Sequence, residues 1–125
     1  MSDEIIPADV QDFIFRYIHS IAQLEALLLL RAKPAEPWDV RAIASRLYTS
    51  EKETAALLTQ LCDASFVRVS DGIYHYHPAP EHQRIIDHLA SSYARHLIPV
   101  TNMIHGKAHR IRQFSDAFKI KRSKE

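Results

Sequence analysis

The chain has 125 residues, of which 46% are hydrophobic and 25% charged, with a net charge of +1. This is the balance of one globular domain with enough apolar residues for a core, and it excludes a disordered or collagen-like chain. A single cysteine, Cys62, excludes an intrachain disulfide and points to a reducing compartment. The acidic start Met1-Ser2-Asp3-Glu4 lacks the basic region of a secretory signal. The longest apolar run, Ala26 to Leu30, falls far short of the ~20 residues of a membrane span. A soluble, cytoplasmic protein is expected.

Only Gly72 and Gly106 are glycines, which predicts a mostly helical chain. From Gln11 to Ala32, Phe13, Ile14, Tyr17, Ile18, Ile21, Leu24, Leu27 and Leu28 recur at spacings of three and four, predicting one continuous helix or a pair. Pro34 and Pro37 stop it. Asp39 is placed to cap a short helix from Val40 to Leu47, with Ile43, Ala44 and Leu47 inward. Tyr48-Thr49-Ser50 is a turn, and Ser50-x-x-Glu53 a capping box that opens a third helix, Glu51 to about Ala64, with Thr54, Leu58 and Leu61 inward. Phe66–Val69 and Ile73–His77 read as strands joined at Ser70-Asp71-Gly72. After Pro78-Ala79-Pro80, residues Glu81 to His105 predict one long helix with Ile85, Ile86, Leu89, Tyr93, Leu97 and Val100 near one side, a kink at Pro99 and a stop at Gly106. The predicted fold class is mainly α with a small antiparallel β-hairpin. It divides into a core at 1–78, a long helix at 79–106 and a basic tail at 107–125.

This order of elements, with Ala44-Ser45-Arg46-Leu47 before the turn and Leu58-x-x-Leu61-x-x-x-Ser65-Phe66-Val67 after it, resembles the winged helix-turn-helix of the MarR-like (multiple-antibiotic-resistance-regulator) superfamily of bacterial transcription regulators. Ser65 stands where the family exit motif has glycine. The tail segment Gln113–Lys119 resembles the end of small proteobacterial winged-helix proteins. The resemblance covers roughly residues 21–78 and implies a DNA-binding dimer whose third helix enters the major groove.

The residues support that implication unevenly. Residues 1–64 hold six Lys/Arg against ten Asp/Glu, whereas 65–125 hold ten against five, and 107–125 alone hold seven against two. Base edges and phosphates are met by Arg, Lys, Ser, Thr and amides. The candidates are Ser50, Lys52, Thr54 and Thr59 for the groove, and Arg41 and Arg46 for the adjacent backbone. Arg68, His75 and His77 belong to the wing, and Arg110, Arg112, Lys119, Lys121 and Arg122 to the tail. Glu51, Glu53, Ala55 and Ala56 on the third helix suit a protein surface better. The competing reading is therefore a winged-helix adaptor that grips a protein partner through Phe114 to Phe118. Ile85, Leu89, Tyr93, Leu97 and Val100 are the candidate dimer stripe, with His88 and His96 beside it. His75 and His77 alternate along a strand and His82 could approach them, but a polar strand face is the simpler account and no metal is expected. No cofactor or enzyme activity is expected, and Cys62 reads as a small core residue.

Overall fold

The computed structural model describes residues 5–107 of the chain. Its elements are α1 (Ala8–Tyr17), α2 (Ile21–Ala32), α3 (Val40–Leu47), α4 (Glu51–Asp63), β1 (Val67–Ser70), β2 (Ile73–Tyr76), α5 (Pro80–Arg95) and a last helix, α6, over residues 97–107. The fold is mainly helical with a two-stranded antiparallel sheet. No single helix among the described residues is long and apolar enough to cross a membrane.

The predicted helix from Gln11 to Ala32 is a pair, begun earlier at Ala8 and bent by 111° between α1 and α2. Ser20 caps α2 by accepting from the amide of Gln23. The Gln23 side chain, itself buried, accepts from the amide of His19 at 2.6 Å and donates to the carbonyl of Tyr17 at 3.1 Å. Ser20 and Gln23 therefore stand at capping-box spacing inside a continuous apolar periodicity, although the Gln23 side chain serves the amide of His19, one residue before the cap.

Helices α3 and α4 pack on each other and α4 on α2. Asp39 caps α3 through the amide of Ala42, and Ser50 caps α4 through the amide of Glu53. Among the described residues no bond returns from the Glu53 carboxylate to the amide of Ser50, so the predicted box is half made. Helix α4 ends in a Schellman motif: the amide of Ser65 reaches the carbonyl of Cys62 at 2.9 Å, and that of Phe66 reaches Leu61 at 3.1 Å. Ser65 has φ 66°, so the left-handed backbone of the glycine position is kept although a serine occupies it. In the hairpin, Ser70 pairs with Ile73 around Asp71 (φ 52°) and Gly72 (φ 76°), the two positive φ angles of a type I′ turn. Trp38 adds a one-residue bridge to Tyr74, a third strand in miniature that has no periodicity to betray it.

The long helix is corrected. It breaks at His96, and Pro99 lies in the first turn of α6, where a missing amide is harmless. Gly106 lies inside α6 and does not stop it. Helix α5 packs on α1 and is tied to α2 by the bonds Arg31–Asp87 and Tyr93–Glu25, both 2.9 Å. Burial, and then the Glu25 carboxylate, push the Tyr93 phenol up to about 12. The rings of Phe13, Tyr17, Phe66 and His82 meet at centroid distances of 5.0 to 6.4 Å and join α1, the entry to β1 and α5. One apolar core runs from Ile6 to Ile104 and takes in Ile86, Leu89, Val100 and Ile104 of the last two helices.

Candidate nucleic-acid interface

The exposed side of α4 follows from its inner face. Thr54, Leu57, Leu58 and Leu61 are buried, which turns Lys52, Ala56, Thr59 and Asp63 outward, with Ala55 half-buried beside them. Thr54 therefore cannot serve as a groove contact: its hydroxyl donates to the carbonyl of Ser50 at 2.8 Å, inside the protein. Ser50 is exposed, but its hydroxyl oxygen is engaged by the amide of Glu53. The Thr59 hydroxyl donates to the carbonyl of Ala55 at 3.0 Å, leaving its lone pairs and methyl group to solvent.

Among the bases, Arg41, Lys52 and Arg68 are exposed and in no ion pair among the described residues. Arg46 lies with its guanidinium 5.5 Å from the centre of the buried Trp38 ring, so its planar face is committed to the protein. Arg68 stands directly across the hairpin from the half-buried His75. Arg68 and His77 also line a shallow cleft of about 570 Å³ with Cys62. Burial and, less strongly, the Asp63 carboxylate push the Cys62 thiol up, away from the thiolate form.

His82 is drawn into the aromatic cluster, 5.1 Å from the Phe66 ring. No three His, Cys, Asp or Glu side chains among the described residues form a group that could hold a metal. His88 is turned to α1, with Nδ1 3.3 Å from Asp9.

The expected dimer stripe is largely consumed inside the chain. Leu89 and Val100 are fully buried, and Ile85 and Tyr93 pack half-buried against the core. Leu97 alone of the five is exposed, next to Ile98.

The tail is also corrected at its root. Lys107 is only 4% exposed, and its ammonium donates to the carbonyls of Ile14 at 2.8 Å and Ile18 at 3.0 Å. It belongs to the α1–α2 elbow and not to a solvated basic tail. Arg110, Arg112, Phe114, Phe118, Lys119, Lys121 and Arg122 lie outside the described residues. Comparison of the chain with protein-family models, curated proteins and solved structures returns no match.

Proposed function

We propose that the chain is a cytoplasmic winged helix-turn-helix protein that binds duplex DNA, in the manner of a transcription regulator of the MarR-like type, as a dimer. One observation carries the reading: α3 and α4 pack across a tight left-handed turn, and an Asp-Gly hairpin follows α4 with Arg68 exposed on it. This arrangement presents Lys52 and Thr59 on one helix face, with Arg41 and Arg68 to either side of it in the chain order. Phosphate contacts dominate in this reading. Residues 5–107 hold ten Lys/Arg against eleven Asp/Glu, so the positive surplus comes from 108–125, which hold six against two. The dimer is supported by Leu97, Ile98 and Phe15, which are among the apolar side chains left in solvent.

A second reading, the protein-binding adaptor, is favoured by one feature of α4. Its exposed residues include Glu51, Glu53 and Asp63 and the small apolar Ala56. In that reading a protein partner is lost on substituting Phe114 or Phe118.

Fluorescence anisotropy with the chain's own upstream duplex and a scrambled one, at two salt concentrations, separates them. The truncated comparator ends after Lys107, since cutting before it would remove an elbow residue. The full chain is expected to prefer its own duplex. Truncation is expected to weaken binding and to flatten its salt dependence, by about 0.9 in slope for each phosphate that is no longer neutralised. A full chain that does not distinguish the duplexes overturns the regulator in favour of the adaptor.

A further inference from the structure

Tyr48 joins two properties that the fold itself does not require together. It closes α3 in the left-handed region, φ 57° and ψ 42°, and it is 96% exposed. Its amide bonds the carbonyl of Ala44, as does that of Thr49, so the backbone geometry has a local purpose. The side chain has none: the phenol makes no hydrogen bond and the ring no aromatic contact among the described residues. Glycine or asparagine would form the same turn with less strain, because a bulky side chain in this region crowds the neighbouring carbonyl. Of the other left-handed residues outside glycine, Asp71 belongs to the hairpin turn and Ser65 to the Schellman cap, and both are small and polar. A large amphipathic ring held strained in solvent is a feature whose use lies outside the chain.

The surroundings indicate what it meets. Arg41 and Ser45 share a face of α3 at a spacing of four, Tyr48 closes that helix, and all three are exposed. The one nearby α3 carboxylate, Asp39, is held by the amide of Ala42. Lys52 follows in the first turn of α4, flanked by Glu51 and Glu53, whereas the exposed bases and hydroxyls on the α3 side have no such carboxylates between them.

We infer that Tyr48 is a binding residue for the sugar-phosphate backbone of duplex DNA, its hydroxyl donating to a phosphate oxygen beside Arg41 and its ring covering the sugar. This rests on the duplex-binding reading above. The test pairs melting with anisotropy on Tyr48→Gly, Tyr48→Asn and Tyr48→Phe of the full chain. Tyr48→Gly and Tyr48→Asn are expected to melt at the same temperature as the parent or up to about 3 °C higher. Their duplex affinity is expected to fall about tenfold, the equivalent of one charge-assisted hydrogen bond with its buried area. Tyr48→Phe is expected to melt like the parent and bind about threefold weaker. A parent that binds duplex while both turn-compatible variants bind equally well overturns the role of Tyr48 and leaves the duplex reading standing. A marked drop in melting temperature in both variants makes the ring structural and overturns it too. A parent that binds no duplex overturns the duplex reading itself, and the inference falls with it.

Discussion

Of the breaks between helices in the first half of the chain, those at Ile18–Ser20 and at Tyr48–Ser50 are built by different means. At the first, several backbone groups near the bend are met by side chains. Gln23 serves the amide of His19 and the carbonyl of Tyr17, and Lys107 arrives from the far end of the described chain to serve Ile14 and Ile18. At the second, the Ser50 cap, the Thr54 hydroxyl on the Ser50 carbonyl and a left-handed residue do the work, and the largest side chain of the turn stands in water. The break that carries tertiary load is anchored by the buried side chains of Ile18, Gln23 and Lys107. A break that carries a surface is left exposed and strained.

The contrast breaks first at Lys107. Lys107→Met keeps the apolar stem but leaves two buried carbonyls without the ammonium, and is expected to destabilise by about 3 kcal/mol in urea unfolding. A loss below about 1 kcal/mol would show that the elbow does not depend on it. Gln23→Ala, which strips the same bend from inside, is expected to lose about 2 kcal/mol by the same assay.

At the turn the effects are smaller. Ser50→Ala is expected to lower stability by about 1 kcal/mol, since one amide of α4 loses its acceptor. Glu53→Gln is expected to change little, because only the Glu53 backbone takes part in the cap. Ser65→Gly relieves a left-handed serine and is expected to raise stability by about 0.5 kcal/mol in thermal melts. A decrease there would mean that the serine side chain contributes something the backbone angle conceals.

The smallest effect is a pH dependence at the elbow. Burial, and then the Lys107 charge, hold His19 below its ordinary 6.5. The unfolded chain therefore takes up that proton first. The contribution is fully present above 6.5 and is lost as pH falls through the lower folded value. Lys107→Met should shallow this decline in melts between neutral and mildly acidic pH.

Much of the fold is legible in the sequence because its signals are local. Asp39 and Ser50 announce two helix starts, Asp71-Gly72 announces the hairpin turn, and the inward positions of the third helix follow its period. What escapes depends on residues distant in the chain. The apolar spacing runs through Ile18 and Ile21 without a gap, and only Ser20-x-x-Gln23 marks the bend. The stripe from Ile85 to Val100 has the pattern of an interface, yet Leu89 and Val100 are buried in the chain's own core and α5 packs on α1. The basic count of 107–125 cannot reveal that its first lysine is buried, because the partners of Lys107 lie near residue 14 and residue 18. Of the candidate site, Thr54 is recognisable both as inward-facing and as a groove residue, and only the first is compatible with its burial.

The central claim, that the exposed turn and not the buried elbow meets DNA, is tested most directly by backbone amide NMR of the full chain titrated with its upstream duplex. Shifts are predicted at Tyr48, Lys52, Thr59, Arg68 and His75, with Ile18, His19 and Gln23 unmoved. Shifts concentrated at the elbow, or none on α3, α4 and the hairpin, would contradict it.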